Sequence, residues 1–290
     1  MKPRVLLSSF VLAAFAATSA HADGAALQTL EMGSGPVVVL VPGLGFSRTD
    51  WLPTVKRLRE HYRCVMVEIP GQGASPLPDP FSLQAAAEAL DAVLAKQNSD
   101  STIVVGSGVG GLLSLLSASA HPAHVRGVML IDTPIKSPIP VSDQQRDLVL
   151  RAMDENFGQF LQMAYGHAGR DSVESAQIFA MISAEPPATL RAYLGQLLAV
   201  DANRELRGLK VPLALAVTDR NWKPGSCWGS VARAMGYEDS TAVRPQRITG
   251  AGALAIKQQP DSVATLIAAF AEREIGDKRQ SASRAAVPTP

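Results

Sequence analysis

Cysteine is scarce in this chain: two in 290 residues, too few for a disulfide scaffold or, by themselves, for a four-ligand zinc site. Charge of one sign is also lacking. With 27 basic and 26 acidic residues the formal net charge is +1, so there is no electrostatic footprint for nucleic acid. The sequence shows no His, Cys, Asp and Glu cluster at metal-ligand spacing, and nothing in it calls for a cofactor. Beyond the N-terminus there is no uninterrupted apolar run long enough to span a bilayer. Internal repeats, a collagen period and coiled-coil heptads are absent as well. What is present builds a core. Hydrophobic residues make up 47% and charged residues 18%, which excludes disorder for the bulk of the chain. The length suits one large α/β domain or two small ones.

The first 22 residues read as an export signal. Lys2 and Arg4 form a positive start, Val5–Ala17 an apolar stretch too short to span a bilayer comfortably, and Ala20-His21-Ala22 a small-x-small cleavage site. Cleavage after Ala22 removes two basic and no acidic residues, leaving 25 against 26. The expected location is the periplasm or the cell exterior, with no membrane span in the mature protein. An oxidised Cys64–Cys227 pair is permitted there. Cys64 nevertheless sits in an apolar run that reads as a buried strand, so an inert core thiol is its expected state.

Short apolar runs then alternate with helical patterns. Val37–Val41 is a strand ended by Pro42-Gly43-Leu44-Gly45, and Trp51–His61 has helical spacing. Arg63–Ile69 is a second strand, followed by Pro70-Gly71-Gln72-Gly73. Ser82 can cap a helix through Lys96. Thr102–Val105 is a third strand, running into Gly106-Ser107-Gly108-Val109-Gly110-Gly111 and a helix to about Ala120. Val125–Ile131 is the fourth strand and ends at Asp132. Strands alternating with helices imply right-handed crossovers and a mainly parallel sheet covered on both faces. Residues 137–209 break this rhythm with amphipathic helices alone. Val211–Val217 and Arg244–Ile248 resume the sheet, and Asp261–Glu274 closes it with a helix. The expected organisation is a core of residues 23–136 and 210–276, a helical cap at 137–209 over the sheet's carboxyl edge, and a disordered tail at 277–290.

The glycine-rich turn after the third strand admits two readings. Gly106-x-Gly108-x-x-Gly111 fits a dinucleotide fingerprint, with Asp132 as a ribose-binding acid and an oxidoreductase as the consequence. The alternative is a nucleophile elbow, the sharp strand-to-helix turn of G-x-S-x-G enzymes. The fingerprint belongs on the first strand of its unit, whereas this turn follows the third. It also lies in a chain addressed for export, where nicotinamide cofactors are scarce.

The ordered series PGLG…W, EIPGQGAS, VVGSGVGG, VMLIDTP, helical insert, VPLALAVTDR and ITGAGALAIKQQP resembles the α/β-hydrolase superfamily over residues 30–272. The resemblance implies that fold, with a helical lid. It also places the nucleophilic serine at Gly108, the preceding histidine at Ser107 and the catalytic histidine at Ala253. The acid position falls at Asp219 or Asn221, with Asp132 as a further candidate. The family's oxyanion hole uses two peptide N–H groups, here those of Val109 and Leu44, which do not depend on side-chain identity. No catalytic residue of the triad is therefore intact. Ser107 is one place out of register, and His61, His121, His124 and His167 lie at helix ends or in the lid, His167 being the one nearest in expectation.

Ser107 and Trp222 are further pocket candidates, with Trp228 beside the acid loop. Phe157, Phe160, Leu161 and Met163 are lid residues that either pack or form a groove. The expected function is an exported pseudo-hydrolase that binds a small acyl, ester or carboxylate ligand or a partner protein. The alternative is an active esterase using non-standard residues.

Overall fold

In the computed structural model the described residues are 26–137, 142–240 and 243–285, with side chains through 276. Export signal, cleavage site and His21 lie outside them. Seven strands form one sheet: β1 (Thr29–Met32), β2 (Val37–Val41), β3 (Arg63–Val67), β4 (Thr102–Ser107), β5 (Gly127–Ile131), β6 (Leu213–Thr218) and β7 (Pro245–Ile248). Their spatial order is β1-β3-β2-β4-β5-β6-β7. All pairings are parallel except β1 on β3. The edge strand β1 is absent from the sequence reading because four largely exposed residues offer too little apolar signal.

Residues of β2 are buried throughout, but they divide by the strand's two-residue period. Val37, Val39 and Val41 belong to one apolar cluster, with α2 (Leu83–Leu94) and α3 (Val109–Ala120). Val38 and Leu40 belong to the other, with α1 (Leu52–Leu58), α10 (Ala255–Gln258) and α11 (Pro260–Ala285). A parallel sheet buried on both faces follows directly from such continuous Val/Leu/Ile runs. Ser82 caps α2, its hydroxyl accepting the Ala85 N–H at 3.0 Å.

Between β5 and β6 the chain leaves the sheet through α4 (Asp143–Glu155), α5 (Phe157–Tyr165), α6 (Ser172–Ser183), α7 (Pro187–Leu197) and α8 (Asn203–Gly208). An antiparallel bridge between Lys136 and Asp201 closes the base of this insertion. Tyr193 donates to the Pro70 carbonyl at 3.1 Å and Thr189 to that of Gly71 at 2.8 Å. Both bonds tie α7 to the loop after β3. Phe157, Phe160 and Leu161 pack into the core cluster, whereas Met163 is exposed.

Two helices lie where the sequence reading placed none, α9 (Trp228–Met235) and α10. The closing helix also outruns its expected end at Glu274 and reaches Ala285. Residues 277–285, expected as part of a disordered tail, continue α11 because no proline or glycine interrupts Asp277–Ala285. Residues 286–290 lie outside the described part. Cys64 and Cys227 are both free, the first buried in β3 and the second exposed before α9. Burial pushes the Cys64 thiol up to about 12, the state of an inert core thiol.

Candidate active site

The turn from β4 into α3 has the shape of an elbow and no nucleophile at its apex. Gly108 takes φ 52° and ψ −120°, a backbone state that costs a residue with a Cβ about 1–3 kcal/mol. Its N–H donates to the Ile131 carbonyl at 2.9 Å, and its own carbonyl accepts the Leu112 N–H at 3.1 Å. The elbow is therefore held from both sides. A Cβ on Gly108 would meet only Gly43 Cα, 4.0 Å away. The space a serine side chain would occupy is open.

The neighbouring glycines serve packing. A Cβ on Gly110 would overlap the Pro42 carbonyl oxygen, one on Gly106 the Gly110 carbonyl, and one on Gly111 the Thr133 hydroxyl. These contacts let α3 sit against the loop after β2 and the end of β5. They give Gly106, Gly110 and Gly111 a packing role that needs no pyrophosphate.

Close packing here brings together the two peptide groups expected to form an oxyanion hole. Val109 opens α3, so its N–H has no intrahelical acceptor. Leu44 follows Gly43, the residue nearest the vacant Cβ direction of Gly108. Among the described residues neither N–H donates a backbone hydrogen bond. Both residues line a cavity of about 260 Å³, together with Ser107, Gly108, Asn221 and Ala253. The positive end of the α3 dipole reinforces this pair of donors.

Around the donors the cavity is amphiphilic. Phe46, Leu112, Leu197 and Val200 supply apolar walls, while Asp132, Lys136, Tyr165 and Arg220 supply polar groups. Asp132 ends β5 at φ 46°, a left-handed state that aspartate tolerates better than most residues. Its carboxylate accepts the Thr218 N–H at 2.8 Å and the Thr218 hydroxyl. Loss of water raises the Asp132 pKa, against hydrogen bonds from Thr218 and Asn221 and the charge of Arg220. Burial likewise raises the Tyr165 hydroxyl pKa, and Arg220 opposes it. The cavity thus places two cations, Lys136 and Arg220, and one carboxylate near unclaimed peptide donors. Lys136 also lies 3.7 Å from Glu238, which leaves Arg220 the freer charge.

The sequence left the acid position open between Asp219 and Asn221, and the two have different surroundings. Asn221 lines the cavity. Asp219 instead accepts from the Arg247 guanidinium at 2.8 and 3.1 Å and from the Gly250 N–H at 2.7 Å. It pins β7 and the turn leading to Ala253, and is not among the residues lining the cavity. Trp222, expected as a pocket candidate, is not among the lining residues. Its indole donates to the Ser226 carbonyl at 2.9 Å and packs against Trp228 at 5.3 Å and Arg247 at 5.8 Å, a half-buried stack set against the core cluster. The cap reaches the same turn, since Arg170 donates to the Gly250 carbonyl at 2.9 Å while paired with Glu174 on α6.

No described histidine lines this cavity. His167 lines a separate one in the cap, with Gln162, Asp171 and Phe179. His61 ends the α1 segment, and His121 and His124 follow α3 at its far end. Ser107 faces the cavity without an imidazole that could take its proton, so its hydroxyl stays a weak nucleophile. Sequence reading missed Lys136, Tyr165 and Arg220 because they come from three separate segments. Adjacency to Asn221 was the only available signal, and only for Arg220.

Known proteins resemble this chain along most of its length. A family profile described as alpha/beta hydrolase fold matches residues 36–175. The pimeloyl-[acyl-carrier protein] methyl ester esterase of Pseudoalteromonas atlantica is 29% identical over 204 residues, covering 64% of this chain and 76% of that one. Its counterpart in Chromobacterium violaceum is 29% identical over 199 residues, 63% of this chain and 75% of that one. Among solved structures, a hydrolase from Oleispira antarctica superposes with TM-score 0.70 at 14% identity, covering 84% of this chain and 94% of that one. A thermophilic esterase from Thermogutta terrifontis gives 0.67 at 21%, covering 85% and 93%.

Proposed function

The chain belongs to the α/β-hydrolase superfamily, and from that premise we propose that it binds a small carbonyl- or carboxylate-bearing ligand without hydrolysing it. One observation carries this reading. The apex of the elbow is Gly108 and the residue on the returning loop is Ala253, with no imidazole among the described residues of the cavity they line. Acyl transfer needs a nucleophile and a base within hydrogen-bond reach of each other, and among the described lining residues the Ser107 hydroxyl has no imidazole to take its proton. What the cavity offers is two peptide donors, the end of a helix dipole and Arg220. Those groups suit an oxygen carrying partial or full negative charge.

A volume of about 260 Å³ lies just under the ~300 Å³ at which drug-sized sites begin. A short acyl or ester group or a small carboxylate therefore fits better than a large ligand. In this reading the protein acts in the periplasm or outside the cell after removal of residues 1–22, and the ligand can be presented by a partner protein. Export is checked by the mass of the N-terminal peptide, which should begin at Asp23; an intact Met1 on the secreted protein would remove this part.

A second reading, an active esterase with non-standard groups, is favoured by the relatives named as methyl ester esterases. Purified protein separates the two. Binding predicts a thermal shift with short mono- and dicarboxylates, weakened about tenfold or more in affinity by Arg220→Gln, since a charge-assisted hydrogen bond contributes roughly 1.5–3 kcal/mol. It also predicts no turnover of short p-nitrophenyl esters above the slow rate that donors alone sustain, about 10³–10⁴ over water. Rapid turnover that survives substitution of Gly108 would establish the esterase instead.

A further inference from the structure

At the opposite end of α3 from the elbow, four side chains from two helices converge. Asp91 lies in the last turn of α2 and Glu88 one turn before it. His121 follows the last residue of α3, and His124 is one short turn further on. Pro122 helps end α3 there, so the two histidines leave the helix on a fixed turn in which the His124 N–H donates to the His121 carbonyl at 3.1 Å. Their rings stack 5.6 Å apart at an interplanar angle of 8°.

Ring nitrogens of both histidines point at carboxylates. His124 Nδ1 lies 2.9 and 3.1 Å from the two Asp91 oxygens. His121 Nε2 lies 3.0 Å from each Glu88 oxygen and 3.9 Å from Asp91 Oδ2. One ligand atom each from Asp91, His121 and His124 falls within 4.8 Å of the others. Asp91 is buried, and the Ser117 hydroxyl from α3 donates to it at 3.3 Å.

From this convergence we propose a site for a divalent first-row transition metal of the zinc class, held by His121 Nε2, His124 Nδ1, Asp91 and Glu88. Imidazole and carboxylate donors together suit zinc rather than calcium or magnesium, which take oxygen ligands. Tetrahedral ligands at about 2.0–2.1 Å from zinc stand roughly 3.3–3.4 Å apart. Separations of 2.9 Å (His124 to Asp91), 3.0 Å (His121 to Glu88) and 3.9 Å (His121 to Asp91) lie on either side of that value, and the Asp91, His121 and His124 atoms all fall within 4.8 Å of one another. Glu88 stands outside that group of three and has to turn in to complete the site. The buried Asp91 is the rigid member, oriented by Ser117 as outer-shell partners orient metal ligands. Glu88 is exposed and closes the site from solvent.

The alternative is that two histidines at a helix C-terminus are simply paired with neighbouring carboxylates. This arrangement stabilises the helix end through its dipole and needs no ion. In sequence the four residues fall into two pairs about thirty residues apart, which is why no ligand spacing was visible. The site is remote from the elbow cavity, and its proposal is independent of whether the protein hydrolyses esters.

Untagged full-length protein is titrated with ZnCl₂ by calorimetry after chelator treatment. One equivalent should bind, and cobalt(II) should give the visible absorption of a tetrahedral site. His121→Gln with His124→Asn keeps the hydrogen-bonding shape. This variant should lose the equivalent, weakening by more than the ~10–100-fold that removal of an orienting neighbour costs. Its melting without metal should match the parent. No stoichiometric zinc binding by the parent, or equal binding by the variant, would overturn the site. The cobalt spectrum is read on the parent and stays informative if the variant fails to fold.

Discussion

The two ends of α3 differ in kind. At its N-terminus the backbone is elaborately arranged: a left-handed apex at Gly108, two unclaimed peptide donors and glycines packed against the loop after β2. Among the described residues that line its cavity there is no histidine. At the C-terminus the backbone is an ordinary helix end, and the chemistry lies in side chains, with His121 and His124 set against Glu88 and Asp91. The first arrangement is maintained by packing and does not depend on the side chain at the apex. The second depends on four particular side chains.

Alanine at two glycines should separate packing from apex geometry. Gly110→Ala drives a Cβ into the Pro42 carbonyl and should destabilise the protein by about 3 kcal/mol or more. Gly108→Ala meets open space and pays only for its backbone state, about 1–3 kcal/mol. Chemical denaturation of both variants checks the order. Equal losses would mean that the elbow is not held by contact between α3 and the loop after β2.

A smaller effect concerns Asp132, the only carboxylate among the described residues that line the cavity. Its pKa is raised by loss of water. The folded state therefore binds this proton more tightly than the unfolded chain does, and the resulting stabilisation is complete below the ordinary carboxylate value. It disappears as pH rises through the raised one. Asp132→Asn should flatten that falling limb in the stability difference between variant and parent, measured by urea unfolding across the acid range. A parallel pair of profiles would show that Asp132 titrates normally.

Much of this was legible in the chain. Continuous Val and Leu runs with glycine-rich ends specified the parallel strands, and the family resemblance put Gly108 and Ala253 at the turns that matter. The four-residue β1 and the two short helices near the C-terminus left too weak a pattern. In the loop after β6, Asp219 and Asn221 stand two residues apart, and only the bond from Asp219 to Arg247 distinguishes the tether from the cavity residue. Trp222 beside the acid loop suggested a rim, yet its indole is satisfied by its own loop at Ser226. The cluster behind α3 depends on packing of α2 against α3, which no local spacing reveals.

The proposed function rests on an elbow that has its shape with glycine at the apex. Reaction with a fluorophosphonate probe tests it most directly, on the parent and on the Gly108→Ser, Ala253→His double variant, with labelled peptides located by mass spectrometry. The parent should remain unlabelled and the double variant should take label at position 108. Stoichiometric labelling of any serine in the parent would contradict the account.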